Sequence, residues 1–374
     1  MEPIGFNKER AHNILEEYNI DVLIASTPVN VFYLTGLPTL HVAPNPILYV
    51  LYNQYPSLSL LRKDGEESLI TWISYRSASK FSWVNDIHGI GSPKAAMVSV
   101  SDKIEQWDIS NGNIGYESLM PTYQFEYLRN KFPNANFINS DQAFLDMRLI
   151  KTEEEIKRIK KSTEISEKAI LNMIEESKEG ISDVELLKIA RMTIIKEGAE
   201  GWDHLTMNLG SSDPEAPGVG TKLKAGDLNR FDIGTIWKGY VSDISRELAI
   251  GNISEGGKEI MSRAIKVQEY CEQNIYPGLN MKELYNNANK FNKSLTKIGR
   301  AFITGHSIGL ECEETHLFSP LKKLDRVFEE NMVLDIEVWQ NFKNQGLIGI
   351  EDCYRITKEG CERLSNLNKE IFIK

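Results

Sequence analysis

The sequence predicts two domains, an α/β amino-terminal domain followed by an α+β domain. The chain has 374 residues, which exceeds the size that one hydrophobic core usually serves. Helical patterns alternate with short apolar runs in the first part, as they do in α/β proteins. A highly charged helical segment then begins at Lys151 and leads into a region that mixes long helices with strands. We therefore expect domains at 1–148 and 149–374.

The first domain is predicted to begin with a helix and to continue with buried strands. The segment "NKERAHNILEEYN" has helical spacing, with Ala11, Ile14 and Leu15 on one face. A later helix is expected at "PTYQFEYLRNKFP", where the last proline ends the pattern. Apolar runs of strand length predict strands at "DVLIAS", "ILYVLY", "ESLITWIS" and "NIGYES".

The second domain is predicted to start with a long amphipathic helix, "KTEEEIKRIKKSTEISEKAILNMIEE". Glu154 lies four residues before Arg158, which is the spacing of an ion pair along a helix. The next helix begins at "SDVE", a capping box in which serine precedes glutamate by three positions. Strands follow from Arg230 onward. The apolar side of the first helix carries Ile156, Ile159, Ile165 and Ile170.

Composition narrows the possible partners and compartments. Hydrophobic residues make up 41% of the chain, and the formal net charge is −10. An acidic surface repels phosphate backbones and anionic lipids, so we expect neither nucleic-acid nor membrane partners. The amino terminus has no apolar signal region, and the longest apolar runs are too short to span a bilayer. Four cysteines without a Cys-x-x-Cys pair suit reduced thiols in a cytoplasmic protein.

Two aspartates lie in an apolar, β-branched segment, "FDIGTIWKGYVSDIS". A hairpin that folds between Trp237 and Lys238 would set Asp232 directly opposite Asp243. Side chains that face each other in this way lie about 4.5–5.5 Å apart at Cβ, so two like charges would repel. One carboxylate could point to solvent, or a bulge could shift the register. The other interpretation is that a cation lies between the two carboxylates.

Further candidate ligands follow in the last third of the chain. His306 is flanked by Gly305 and Gly309, which would let the backbone approach a ligand closely. One such histidine is weak evidence by itself. Asp335 and Glu337 fall on one face of the otherwise apolar strand "NMVLDIEVWQ", where an unpaired carboxylate would be costly to bury.

Glu351 occupies a similar apolar setting in "GLIGIEDCYRI". Each acid could be part of an ordinary salt bridge, and Arg246 or Arg355 could supply the cation. As a set, four carboxylates and one imidazole suit manganese or cobalt better than a thiolate zinc site. Two metal ions about 3.5–4 Å apart would need this many ligands.

At these segments the chain resembles the pita-bread metallopeptidase family, which includes Xaa-Pro dipeptidase (prolidase), aminopeptidase P and creatinase. The resemblance covers nearly the whole length and implies a creatinase-like amino-terminal domain, a pita-bread catalytic domain and a homodimer. Its segments occur in the family's order: "NVFYLTGLP", "RLIKTEEEIKRIKKSTEI", "FDIGTIWKGYVSDISREL", "GHSIGLE", "MVLDIEVW" and "IGIEDCYRITKEG".

The resemblance implies five ligands for two divalent metal ions, manganese or cobalt. Asp232 would bind one ion, and Asp243 and Glu351 would bridge both. His306 and Glu337 would bind the second ion. A hydroxide that bridges the two ions would then be available near neutral pH to attack a carbonyl carbon.

The resemblance also selects Glu337 over Asp335, a choice that the strand pattern leaves open. By the same analogy Glu337 is catalytic, since it could pass a proton to the leaving amine.

The match is incomplete around the substrate. Peptidases of the family usually carry a Pro-His pair upstream of the first aspartate, where this chain has Ala216, Pro217 and Gly218. They usually carry a second histidine seven residues after the ligand histidine, where this chain has Glu313. The arginine often found before the last ligand is also missing, and Gly349 lies near that place. Losing one donor to an oxyanion typically costs on the order of 10²–10³ in rate.

Other histidines could compensate for the two that are absent. His316 lies three residues after Glu313, and His204 lies in "GWDHLTMNLG" ahead of the substrate loop. We therefore treat His204, His316 and Glu313 as further catalytic candidates. His41 could reach the site of a neighbouring subunit in a dimer.

Three functions fit these features. The first is a metallopeptidase that cleaves the bond before proline in a small peptide. The second is a creatinase-like hydrolase or lyase that acts on a small polar metabolite, as the altered substrate positions would allow. The third is a binding module without catalysis, which the complete ligand set disfavours.

Overall fold

Two units divide the chain, Met1–Leu149 and Ile150–Lys374. The computed structural model describes residues 2–38, 56–73, 78–209, 218–295, 299, 301–321, 324–342 and 346–374. The predicted strand at "ILYVLY", His41, Ala216 and Pro217 lie outside the described residues.

The first unit is built on a mixed sheet whose described strands run in the order β4-β3-β2-β1-β5-β6. Strands β1, β2 and β3 pair antiparallel, whereas β3–β4, β1–β5 and β5–β6 pair parallel. The predicted strands in "DVLIAS", "ESLITWIS" and "NIGYES" are β1, β3 and β5. The strands are β1 (Val22–Ala25), β2 (Leu58–Arg62), β3 (Glu67–Trp72), β4 (Ile87–Ile90), β5 (Asn113–Tyr116) and β6 (Asn136–Asn139).

Three helices of the first unit begin at side chains that cap them. Asn7, Thr27 and Ser92 each accept a hydrogen bond from a first-turn amide. Both predicted helices are present, and the face of α1 with Ala11 and Ile14 is buried. The helices are α1 (Lys8–Glu17), α2 (Pro28–Thr35), α3 (Pro93–Gln106), α4 (Thr122–Lys131) and α5 (Asp141–Leu149). Their alternation with strands confirms the α/β prediction.

The second unit starts with the long helix that the charge pattern predicts. The capping box at "SDVE" is confirmed at Ser182 and Glu185, and Thr152 and Glu155 form another at the start of the long helix. Glu154 pairs with Arg158, with 3.0 Å between Oε1 and Nε. The helices are α6 (Glu153–Glu176), α7 (Asp183–Lys196), α8 (Glu255–Asn274) and α9 (Met281–Leu295). The four isoleucines predicted to share one side of α6 are buried.

A long, largely antiparallel sheet carries these helices. Its described strands run in the order β12-β11-β13-β14-β10-β8-β7, with β9 on β8, β15 on β14 and β16 parallel to β10. This combination of helices and antiparallel sheet confirms the α+β prediction. The strands are β7 (Gly201–Leu209), β8 (Leu228–Trp237), β9 (Tyr240–Val241), β10 (Ile244–Ala249), β11 (Phe302–Ser307), β12 (Thr315–Phe318), β13 (Val333–Phe342), β14 (Gly346–Ile356), β15 (Cys361–Arg363) and β16 (Phe372–Ile373).

Alternation along β8 separates the core from a polar face. Phe231 and Ile233 are fully buried in a cluster with residues of α6 and α7. Successive side chains of a strand point to opposite faces, so Arg230 and Asp232 lie on the face turned away from those helices. The polar residues of the sheet are therefore collected on one side.

The hairpin register differs from the predicted one. Trp237 pairs with Tyr240, and the two-residue turn at Lys238 and Gly239 has φ values of 49° and 83°. This turn moves the fold point by one residue, so Asp232 pairs with Ser245 rather than with Asp243. The expectation that the two aspartates lie directly opposite was therefore wrong, although both remain on the same face as diagonal neighbours.

No helix among the described residues is both long and apolar enough to cross a lipid bilayer.

Candidate metal centre

Strand register brings the predicted ligands together. Glu337 pairs with Glu351, Glu351 with Ser245, and Ser245 with Asp232. Directly paired residues project to the same face, so these four form one line across four strands, which we call the ligand row. All five predicted ligands lie on this face, in the ligand row or in the line of side chains next to it.

The adjacent line on one side of the ligand row, the upper line, contains the remaining two predicted ligands. His306 on β11 pairs with Asp335 on β13, which lies two residues before Glu337. Asp243 lies two residues before Ser245, just ahead of β10. His306 Nε2 is 3.2 Å from Glu351 Oε1.

His204, a predicted catalytic candidate, lies among these ligands. Its Nε2 atom is 3.2 Å from Asp243 Oδ1 and 3.4 Å from Asp232 Oδ1. Burial alone would lower the pKa of His204, but the charge of Asp243 and further interactions raise it well above its usual value. A bulge in β7 near Trp202 and Leu205 shifts the register where His204 lies.

Acidic groups at this density are electrostatically unfavourable. Burial, followed by the charges of Asp243, Glu337 and Asp232, raises the pKa of Glu351 well above its usual value. Burial raises the pKa of Glu337 to about 7, even though Arg230 opposes the shift. Divalent cations would remove this repulsion, because carboxylates in a buried site need an opposite charge.

The donor atoms fit such cations. Asp232 Oδ1 and Asp243 Oδ1 are buried and accept no hydrogen bond. Ligand atoms of Asp232, Glu337 and Glu351 lie within 4.8 Å of one another, and so do those of His204, Asp232 and Asp243. Oxygen donors with imidazole match the chemistry of manganese or cobalt.

Asp335 is the acid on β13 that the family resemblance does not select as a metal ligand. It is fully buried, and neither carboxylate oxygen has a hydrogen-bond partner. Asp335 Oδ2 is 4.0 Å from His306 Nδ1, so Asp335 lies beside the imidazole that would bind metal. Burial and the charge of Asp243 raise the pKa of Asp335 well above its usual value.

His316 and Glu313, the other catalytic candidates, are near the ligands but more exposed. His316 pairs with His306 across β11 and β12, and the two ring centroids are 6.2 Å apart. His316 Nε2 is 3.4 Å from Glu313 Oε2, and the two side chains are 41% and 57% exposed. These residues form a solvent-facing edge of the site rather than part of the ligand cluster.

Two residues of the centre are absent from the sequence prediction. Arg230 projects into the ligand row, and Cys312 Sγ donates to Asp243 Oδ2 at 2.9 Å. The signal for Arg230 is its position two residues before Asp232, on the same face of a strand. Cys312 has no comparable signal, because its contact depends on how the segment after β11 folds.

Glu247 is a fully buried acid on the other side of the ligand row. It pairs with Arg230 in the register, and its Oε1 accepts the Gly349 amide hydrogen at 2.9 Å. Burial raises the pKa of Glu247 to about 8, although the Gly349 amide and Arg230 act in the opposite direction.

This shift predicts a pH dependence of stability. Between the usual Glu value of 4.5 and about 8, the unfolded chain loses the Glu247 proton while the folded chain keeps it. The free energy of unfolding of metal-free protein should therefore fall as pH rises through this window. In Glu247→Gln the loss between pH 5 and pH 8.5 should be smaller, by on the order of 3 kcal/mol. Urea denaturation at both pH values measures it, and equal losses in the two proteins would contradict the expectation.

Two family models match this chain. The model described as metallopeptidase family M24 matches residues 157–358. The creatinase/prolidase N-terminal domain model matches residues 8–150. The two matches fall on the two units of the structure in the order that the resemblance implies.

Curated relatives extend the match over the whole chain. A Xaa-Pro dipeptidase of Pyrococcus horikoshii is 32% identical over 272 residues, covering 69% of this chain and 74% of that protein. A Xaa-Pro dipeptidase of Pyrococcus furiosus is 27% identical, covering 97% of this chain and 98% of that protein.

Solved structures share the fold. The Xaa-Pro dipeptidase from Bacillus anthracis superposes with a TM-score of 0.82 at 24% identity and covers 98% of this chain and 99% of its own. The prolidase from Pyrococcus horikoshii superposes with a TM-score of 0.79 at 25% identity and covers 97% of this chain and 99% of its own. The predicted resemblance and fold class are thus confirmed. The chain belongs to metallopeptidase family M24 and combines a creatinase/prolidase N-terminal domain with a pita-bread domain.

Proposed function

We propose that this M24 protein cleaves the peptide bond before proline, as a Xaa-Pro dipeptidase or aminopeptidase. The observation that carries the proposal is the convergence of five predicted metal ligands on one face of the sheet. The family is metal-dependent, and the relatives described above bear the name Xaa-Pro dipeptidase, which supports proline specificity.

The proposed cofactor is a pair of divalent ions, manganese or cobalt. Asp232 would hold one ion, Asp243 and Glu351 would contact both, and His306 and Glu337 would hold the other. The unpartnered oxygens of Asp232 and Asp243 support this assignment, since buried carboxylate oxygens need a cation or a donor.

When bound, such ions lower the pKa of water and polarise a carbonyl group. The chain's own residues supply the proton transfer and orient the substrate. The Glu337 side chain is 16% exposed, compared with 3% for Glu351, so Glu337 is the more accessible of these two ligands to a leaving amine. We assign to it the proton transfer. His204, 22% exposed, would donate a hydrogen bond to a substrate oxygen in place of the absent histidines.

The test is metal-dependent, proline-dependent cleavage. Protein treated with a chelator should be inactive, and added Mn²⁺ should restore cleavage of Xaa-Pro dipeptides or of longer Xaa-Pro peptides. Matched Xaa-Ala peptides serve as the substrate control, and liquid chromatography with mass spectrometry identifies the products. Metal-loaded protein that leaves every Xaa-Pro peptide intact would contradict the proposal.

A second candidate is a creatinase-like hydrolase or lyase that acts on a small polar metabolite. The specific observation in its favour is Glu313 on the exposed edge, beside His316. A carboxylate does not stabilise an oxyanion unless it is protonated, so this edge suits a cationic substrate group better than a peptide carbonyl. Screening metabolite extracts with the metal-loaded protein separates the two candidates, because peptide products alone would exclude this one.

The oligomeric state of the protein and its cellular compartment stay predictions. We expect a homodimer in the cytoplasm, without nucleic-acid or membrane partners. Light scattering on the purified protein tests the dimer, and a monomeric mass would contradict it.

A further inference from the structure

Arg230 lies beneath the ligand row, on the side opposite the upper line. It is two residues before Asp232 on β8 and pairs with Glu247 on β10. Its side chain is 2% exposed. A guanidinium group stays protonated in folded proteins. Arg230 is therefore a permanent positive charge inside the candidate metal centre.

The guanidinium contacts one oxygen of each of three carboxylates. Nη1 is 2.9 Å from Asp232 Oδ2, and Nη2 is 2.6 Å from Glu337 Oε1 and 3.3 Å from Glu351 Oε2. A planar, forked cation fixes both the position and the rotation of the carboxylates that it binds, which a single point charge does not.

The second oxygens of Glu351 and Asp232 face histidines rather than the guanidinium. Glu351 Oε1 lies 3.2 Å from His306 Nε2. Asp232 Oδ1 accepts no hydrogen bond and shares His204 Nε2 with Asp243 Oδ1. His306 and Asp243 belong to the upper line, whereas Arg230 approaches from the opposite side of the ligand row. In Glu351 and Asp232 the oxygen that contacts the guanidinium and the oxygen that faces a histidine are therefore different atoms.

Packing explains why this cation comes from β8. A Cβ atom at Gly349 would lie 2.5 Å from Trp339 Cβ and 2.6 Å from the Val338 carbonyl oxygen, so β14 has no room for a side chain there. The Gly349 amide instead donates a hydrogen bond to the Glu247 carboxylate. The long side chain of Arg230 on β8 reaches Glu351 on β14, two strands away, and Glu337 on β13, three strands away.

We propose that Arg230 is a positioning residue of the metal centre. It holds one oxygen of Asp232, Glu337 and Glu351, and it thereby directs the second oxygen of each toward the ions. This inference rests on the metal centre of the proposed function but not on its substrate. The competing arrangement is that the guanidinium takes the place of one ion, which would leave a site for a single divalent cation.

Metal titration separates the two arrangements. We expect wild-type protein, stripped with a chelator and titrated with Mn²⁺ by calorimetry, to bind two ions per chain. Arg230→Met should weaken binding by about 10–100-fold, the range typical for loss of a group that orients metal ligands. Arg230→Lys keeps the charge but loses the fork, so we expect a partial recovery of affinity.

Arg246→Lys provides the matched control. Arg246 is also fully buried, but it binds Asp352 and main-chain oxygens rather than a carboxylate of the ligand row. We expect Mn²⁺ affinity in this variant to stay close to that of wild type, because no carboxylate of the ligand row loses a side-chain contact. Circular dichroism verifies that each variant is folded.

Three results would overturn the proposal. They are saturation of wild-type protein at one ion per chain, a higher ion count in Arg230→Met than in wild type, and unchanged affinity in both Arg230 variants. If neither variant folds, wild-type stoichiometry still tests the proposal, because saturation at one ion per chain would overturn it. If two ions bind and the Arg230 variants weaken that binding while Xaa-Pro peptides stay intact, the proposed substrate fails but the role of Arg230 stands.

Discussion

Replacing Glu351 with alanine should abolish tight metal binding and reduce peptide turnover at least about 10³-fold, because an electrostatic contribution of several kcal/mol disappears. Glu351 lies at the centre of the ligand row, within reach of His306 on one side and Arg230 on the other. On β10 the paired position is Ser245, so that strand supplies no acid in its place. Removing a carboxylate from this crowded site should leave metal-free protein as stable as wild type or more so, because Glu351 is held against repulsion.

Thermal melting with and without Mn²⁺ tests this expectation independently of substrate. An ion that binds only the folded chain stabilises it and so raises the melting temperature. At an ion concentration of 100 times the dissociation constant, the free energy of unfolding rises by about 2.7 kcal/mol. Wild type should show this rise, and Glu351→Ala and His306→Ala should not. Glu351→Gln keeps the shape and removes the charge, so it should behave like the alanine variant. A full Mn²⁺-dependent rise in Glu351→Ala would show that the ions bind elsewhere.

Strand alternation made it possible to place candidate acids on one face from the sequence, and the family resemblance selected the five candidate ligands. Asp335 and Glu337 could be placed on one face from their spacing alone, and apolar flanks marked Glu351 as buried. The hairpin register was predicted incorrectly, because it depends on where a two-residue turn falls. Lys238 adopts a positive φ that a non-glycine residue rarely takes, and the turn there moves the fold point by one residue and each pairing partner by two.

Contacts that join distant segments were harder to predict. His204 could be named as a candidate, but its distance to Asp243 depends on a bulge in β7. Arg230 was missed because, from sequence alone, an arginine near a candidate ligand could form an ordinary salt bridge with any acid. Only the register across four strands shows that its three partners are all candidate ligands. Sequence therefore predicted the acids and the imidazole of the candidate centre, whereas the charged residues around them became visible only in the fold.

Replacing Glu313 with histidine should raise kcat/KM for Xaa-Pro peptides by about 10²-fold, the effect of one oxyanion donor. Glu313 lies on the exposed edge, and its charge acts on His306, one of the proposed ligands. A carboxylate there opposes the negative charge that develops on a peptide carbonyl oxygen, whereas an imidazole can donate a hydrogen bond to it. The side chain is 57% exposed, so the substitution should not disturb the core.

Glu313→Gln separates the two contributions, because it removes the charge without supplying an imidazole. We expect its kcat/KM to lie between those of wild type and Glu313→His, with Mn²⁺ affinity similar in all three proteins. Steady-state cleavage of one Xaa-Pro dipeptide at saturating Mn²⁺ measures the series. If Glu313→His is no faster than wild type, the edge does not face a peptide carbonyl. That result would favour the polar-metabolite alternative, in which the acid at this position binds a positively charged group of the substrate.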